Sequence, residues 1–348
     1  MPGRVTRSFE INPFDASGVA LSKRLILSIL ITAGIIFILL LQISLRDLYA
    51  LLRTIDPIWF ALGSISYLLA NLFRALRFRW LIHSKGIPLS DLFRITSFYH
   101  LSLMVLPSKL GELSYPYLLN RISGRNVTEG LASLVVSRVY DFFIILLILL
   151  SVSIGYQTLF EVNPFFLIPA VIFLIFLIVF GFFYMGRLLR WLSNVLGRIS
   201  NRAGSRNASF LSWIQRKMDE MAEDFDSIQA RKTYLPVALT SLASWAMIFS
   251  TFYAYMEGFG FDISSTKLIL GSTIAVIGNA LPVSGIGNWG TLEAGWAAGF
   301  LMVGLSREKA IATGFGIHIL IFVVCALICF FCWVTLRKQK NPSPTSSL

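Results

Sequence analysis

Several runs of this chain are apolar for long enough to cross a lipid bilayer, and that limits what it can fold into. Leu25 to Leu41, Phe142 to Ile154 and Phe165 to Phe183 contain no charged residue. A hydrocarbon core of about 30 Å is crossed by a helix of about 20 apolar residues. The whole chain agrees: 56% of its 348 residues are hydrophobic, 14% are charged, and the mean hydropathy is +0.73. A soluble domain carries about 25% charged residues. The expected fold class is an all-α polytopic membrane protein. Lys23 and Arg24 precede the first run and no small-residue cleavage site follows it, so it reads as an anchor, not a signal peptide.

Basic residues set the orientation, because Lys and Arg collect in short cytoplasmic loops. Arg4, Arg7, Lys23 and Arg24 precede the first span, Arg74, Arg77, Arg79, Lys85 and Arg94 surround the end of the second, and Arg121 and Arg125 follow. Nine more lie between Arg187 and Lys232, then Arg337, Lys338 and Lys340. The opposite loops hold Arg46, Arg53, Lys267, Arg307 and Lys309. One arrangement fits, with both termini cytoplasmic in the cell membrane.

In that arrangement residues 92–121 enter and leave on the inner side. Their middle, Leu106-Pro107-Ser108-Lys109-Leu110-Gly111-Glu112, breaks a helix and predicts a re-entrant hairpin. Residues 268–305 behave likewise from the outer side. Their middle runs from Leu281-Pro282 through Ser284, Gly285, Gly287 and Gly290 to Glu293. The two halves then form an inverted-topology repeat, each with three spans and one re-entrant hairpin. Broken helices in such repeats meet near the midplane and form a substrate site; two ordinary pairs of kinked spans are the plainer alternative. The expected divisions are a segment 1–24, a first repeat 25–185, a basic connector 186–232, a second repeat 233–336 and a disordered tail 337–348. Trp191, Leu192, Val195, Leu196 and Ile199 give the connector an amphipathic spacing, for a surface helix on anionic headgroups or a plain solvated link.

The net charge of +12 does not indicate nucleic acid, since the basic residues are scattered among apolar spans with no DNA-binding motif. Cys325, Cys329 and Cys332 fall on one helical face without His or acid beside them, which reads as packing, and no metal or other cofactor is implied. Ionisable groups at membrane depth are costly and face partners or a polar cavity. Arg74, Arg77 and Arg79 read either as headgroup anchors or as a phosphate site. Arg138 and Asp141 stand one turn apart and can pair. Glu112 and Glu293 occupy matching places in the two hairpins with no obvious cationic neighbour in sequence. Such carboxylates can hold an ammonium, an arginine or a proton. His318, inside the last span, reads as a buried hydrogen-bonded residue. Gly111, Gly285, Gly287 and Gly290 allow sharp turns whose free amides can approach an anion.

On Asn71 through Trp80, the Pro107–Glu112 turn with Pro116-Tyr117-Leu118-Leu119, Arg138 with Asp141, and Pro282 through Glu293, the chain resembles the lysylphosphatidylglycerol synthase transmembrane family, a flippase-like family. The likeness runs from about Leu25 to Leu336. It implies a domain that moves lipids between leaflets. The chain departs from the family pattern at Tyr115 and Ser137, where many relatives have a basic residue and an acid. Only a short tail follows the last span, so aminoacyl-lipid synthesis by this chain alone is not expected. The expected ligand is a membrane lipid: an anionic or zwitterionic phospholipid, or a polyprenyl-linked one. Two other readings stay open, a membrane-embedded lipid-modifying transferase and a non-catalytic subunit partnering a separate synthase or glycosyltransferase. No catalytic residue is assigned, since no nucleophile–base pair stands out.

Overall fold

The computed structural model describes residues 33–34, 37–38, 45–82, 86–107, 110–155, 164–200, 205–280 and 287–340. Helices dominate and no β-strand occurs among the described residues. They are α1 (Leu45–Arg53), α2 (Pro57–Leu81), α3 (Leu89–Val105), α4 (Ser114–Ser123), α5 (Val127–Gly155), α6 (Pro164–Ser200), α7 (Ser205–Ala230), α8 (Tyr234–Gly258), α9 (Ser265–Ala280), α10 (Thr291–Met302) and α11 (Arg307–Lys340). A 3-10 turn, Leu110–Leu113, leads into α4.

Local chemistry sets several of these boundaries. Asp56 accepts hydrogen bonds from the amides of Ile58 (2.7 Å) and Trp59 (3.3 Å), and Pro57 stands at the first helical position, so α2 begins there. Gly124, at φ 68°, closes α4 by donating its amide to the Asn120 carbonyl. Among the described residues four segments are long and apolar enough to cross a bilayer: Pro57–Leu81, Val127–Val152, Tyr234–Gly258 and Arg307–Thr335. The protein is a multi-pass membrane protein. The first apolar run falls mostly outside the described residues. Helix α6 continues unbroken through residues 185 and 186, so the expected connector comprises its C-terminal part together with α7.

Both predicted break regions lie between short helices that fold back on each other. In the first pair Tyr99 of α3 meets Tyr115 of α4 ring to ring at 5.6 Å, and Gly111 sits against Leu103, so α3 and α4 run antiparallel. In the second, Gly271 lies beside Gly299 and Ala275 beside Gly295, which makes α9 and α10 antiparallel. These small residues let two backbones touch, the usual device for joining helices in lipid. The four helices have 17, 10, 16 and 12 residues. At 1.5 Å per residue they reach about 26, 15, 24 and 18 Å, each short of a full crossing.

The long helices α2 and α8 also pack antiparallel. Phe60 stacks near Tyr255 at 6.1 Å, while Arg77 and Trp80 reach Ser241 and Thr233 near the opposite end. Gly63 makes that approach possible, since a Cβ there would stand 2.3 Å from the Tyr255 ring. One apolar core gathers around Phe252, Trp296, Phe300 and Ile317, and another around Phe78, Leu92, Tyr99, Tyr115 and Val136. Cys325, Cys329 and Cys332 are buried free thiols that pack as small apolar groups.

Candidate functional site

Helix α2 separates its three arginines. A step of two residues turns an α-helix by about 200°, so Arg79 leaves the face that Arg77 occupies. Arg77 is 4% exposed and Arg79 lies on the surface. The Arg77 fork grips Asp141 of α5, with Nη1 at 2.6 Å from Oδ1 and Nη2 at 3.4 Å from Oδ2. Asp141 Oδ1 also accepts the Trp245 indole N–H at 2.9 Å, and Arg77 donates to Ser241 Oγ at 3.3 Å. The carboxylate is thus buried only because its lone pairs are taken up.

Arg138 stands one turn before Asp141 and 3.5 Å from it. Its stronger attachment is to the first hairpin. Nη2 donates to both oxygens of Glu112, at 2.7 and 2.9 Å, and to the Tyr99 hydroxyl. Tyr99 in turn donates to Glu112 Oε2 at 2.6 Å. Arg74, one turn before Arg77, is half-buried and within electrostatic reach of Asp141, Arg77 and Arg138. Among the described residues it makes no hydrogen bond and no ion pair.

Among the described residues three guanidinium groups therefore share two carboxylates, Asp141 and Glu112, leaving a net positive charge and Arg74 without a hydrogen-bonded or ion-paired partner. The Arg138 position lies about 17 Å along α5 from its start, near the middle of that span. A guanidinium fork fits the paired oxygens of a phosphate. Charge at this depth is poorly screened, so an unpaired cation there attracts an anion strongly.

The other half builds a different arrangement. Glu293 Oε1 is 2.6 Å from His318 Nδ1 on α11, and Oε2 accepts the Gly290 amide at 2.7 Å, closing the first turn of α10. The Trp289 ring stacks on His318 at 4.1 Å. The two break regions touch, because the Gly287 amide donates to the Leu106 carbonyl at 3.1 Å. Gly287 has φ 58°, and a Cβ there would stand 2.0 Å from the Met104 carbonyl oxygen, so the approach requires glycine. Pro107 follows the end of α3 and accepts from the Leu110 amide, while Gly111 lies against the α3 backbone. Gly290, at φ 83°, caps α10. Pro282 and Gly285 lie outside the described residues.

Of the expected site residues, Arg74, Arg77, Arg138, Asp141 and Glu112 gather in one place. Arg79 faces away, and Glu293 is enclosed with His318. Tyr99, Trp245 and Ser241 were not singled out from the sequence. A tyrosine thirteen residues before Glu112 carries no signal until the hairpin folds, and Trp245 and Ser241 belong to a helix in the other half. No group of three or more His, Cys, Asp or Glu residues that could hold a metal occurs among the described residues.

The family model described as "Lysylphosphatidylglycerol synthase TM region" matches residues 25–329 of the chain. No curated protein and no solved structure matches it significantly.

Proposed function

The chain belongs to the lysylphosphatidylglycerol synthase TM region family, and on that premise we propose that it is a lipid translocase, moving a phospholipid or polyprenyl-phosphate-type lipid between the leaflets of the cell membrane. The observation that carries this reading is Arg74, a cation within α2 that makes no hydrogen bond or ion pair among the described residues, beside the Arg77–Asp141 and Arg138–Glu112 pairs. The barrier to lipid movement is the headgroup, whose charge is strongly disfavoured in hydrocarbon. Arg74 supplies the charge that offsets it, and Arg138 supplies a second guanidinium, half-exposed, that can turn from Glu112 toward a phosphate. Arg77 and Asp141 hold the wall.

The rest of the reading is an inverted repeat with two re-entrant hairpins and cytoplasmic termini. Four observations support it. The helices of each hairpin are too short to cross, their break regions meet at Gly287 and Leu106, and α2 packs antiparallel to its counterpart α8. Each hairpin acid also bonds a basic side chain on the next long helix of its own half, 26 residues on for Glu112 and 25 for Glu293. Rocking of the halves about the Gly287–Leu106 contact would open the arginine cluster to each leaflet in turn.

The test is leaflet-resolved movement of labelled lipids by the purified protein in liposomes. Arg74→Gln lowers the rate at least tenfold, about 1.4 kcal/mol of barrier, while the protein stays folded. An unchanged rate in Arg74→Gln removes the cluster from the mechanism. Formation of a new lipid product would instead favour a transferase, and movement seen only with a synthase or glycosyltransferase added would favour a partner subunit.

A further inference from the structure

Buried polar atoms without a hydrogen-bond partner are rare in folded proteins, and here they concentrate around the arginine cluster. Among the described residues the buried side-chain atoms of this kind are Asn71 Oδ1, Arg77 Nε, His100 Nε2, Ser193 Oγ and Thr273 Oγ1. The first three belong to α2 and α3, which meet where Asn71 bonds Ser97. Asn71, Arg74 and Arg77 follow one another along α2 in steps of three residues, each about 60° from the last around the helix. His100 of α3 lies within electrostatic reach of Arg74, Arg138 and Arg77.

Asn71 is 2% exposed, so its open atom is shut off from bulk water. Which atom is open follows from the serine beside it. Ser97 gives its hydroxyl hydrogen to the Phe93 carbonyl at 2.8 Å, so toward Asn71 it can only accept. Asn71 therefore donates to it from Nδ2, at 2.6 Å, and leaves Oδ1 free. A carbonyl oxygen is an acceptor and nothing else. His100 stands one turn after Ser97 with its ring 5.0 Å from that of Tyr99, and it makes no hydrogen bond among the described residues. A neutral imidazole can offer either a donor or an acceptor at Nε2, by choice of tautomer.

Arginine supplies donors only, so Arg74 and the Arg77 Nε match the oxygens of a phosphate. A phosphodiester supplies acceptors only and cannot satisfy Asn71 Oδ1. The combination calls for an anionic group with an O–H or N–H donor attached. We infer that Asn71 and His100 are specificity residues: Asn71 Oδ1, with His100 beside it, takes a hydrogen bond from a hydroxyl or ammonium of the headgroup whose phosphate Arg74 meets. This rests on the headgroup reading of the arginine cluster and goes beyond it, since charge draws a phosphate whatever it carries, while Asn71 reads what it carries. A headgroup with no donor leaves Oδ1 buried and unpaired, the means by which polar sites reject analogues.

Two lipid pairs separate the donor from the charge. Phosphatidylglycerol and phosphatidylmethanol are both anionic, and only the first has hydroxyls. Phosphatidylethanolamine and phosphatidylcholine are both zwitterionic, and only the first has N–H groups. Binding of each to the full chain is read by native mass spectrometry from mixed micelles, and movement between leaflets is read separately in liposomes. The donor-bearing member of each pair binds about tenfold better, corresponding to about 1.4 kcal/mol. Asn71→Leu removes the acceptor and abolishes the preference in both pairs. His100→Phe does the same while keeping a ring against Tyr99 and breaking no hydrogen bond, so it decides the matter if Asn71→Leu fails to fold. Arg74→Gln weakens binding of all four lipids and leaves the two ratios standing. Equal or reversed binding within the pairs, or a preference that survives in either variant, overturns the inference. Donor preference without movement between leaflets removes the translocase reading and leaves this one; movement without preference does the reverse, and no binding of any of the four lipids overturns both.

Discussion

His318 Nδ1 and Glu293 Oε1 stand 2.6 Å apart, with the side chains 1% and 0% exposed. In the first half the corresponding acid, Glu112, bonds Arg138 and keeps some exposure. The matching positions thus do different things. One pair is sealed and fastens the second hairpin to α11, while the other borders a cluster with charge to spare. Sealing has an energetic consequence, since a buried ionisable group stripped of its partner is heavily penalised.

His318→Leu should destabilise the protein by about 3–5 kcal/mol, because Glu293 is left buried with only the Gly290 amide. Replacing both residues by leucine should recover most of that loss. Thermal unfolding in detergent across the double-mutant cycle measures the coupling, and strictly additive losses would mean that the pair is not a unit.

Two arginines one turn apart should behave oppositely. Removing the partner of Arg77 by Asp141→Ala strands a buried guanidinium and should cost about 3–5 kcal/mol. Arg74→Gln should shift stability by no more than about 0.5 kcal/mol, because Arg74 holds no bond to lose. Chemical denaturation compares them directly; equal losses would place Arg74 among the structural groups.

Tyr99→Phe removes the hydroxyl that takes a bond from Arg138 and gives one to Glu112. Bonds to charged groups contribute about 1.5–3 kcal/mol, and the direct Arg138–Glu112 contact survives, so the expected loss lies in that range. Unfolding free energy checks the size. A loss comparable to that of Asp141→Ala would show that Tyr99, not the ion pair, holds the hairpin.

The second hairpin offers a steric contrast within one helix pair. At Gly299 a Cβ would stand 2.1 Å from the Gly271 carbonyl oxygen, whereas at Gly278 the nearest atom would be at 3.6 Å. Gly299→Ala should therefore cost about 1–3 kcal/mol as α9 and α10 are forced apart. Gly278→Ala should be tolerated, with about 1 kcal/mol of helix preference in its favour. Melting temperatures of the two variants should move in opposite directions.

Much of the fold was legible in the chain. The breaks near Pro107 and Gly287 fall where Pro, Gly and a polar turn interrupt apolar sequence, with a short helix on either side of each. The pairing was only partly legible. A spacing of three put Arg138 beside Asp141, and the contact exists at 3.5 Å. The tighter partner of Asp141 is Arg77, 64 residues earlier, and no helical periodicity connects the two. Glu112 and Glu293 looked equivalent because their local sequences match; their different exposure comes from what α5 and α11 bring against them.

The sequence by itself determined which segments are apolar enough to cross, where they break and which residues would have to justify a charge in lipid. Those follow from a local rule, since hydrocarbon offers the backbone no hydrogen bonds and each segment must satisfy its own. Only the tertiary structure decided which cation meets which acid and which arginine is left over. Ion pairs form through space between helices far apart in the chain, and poor screening makes the choice among three arginines depend on ångströms that no sequence interval records.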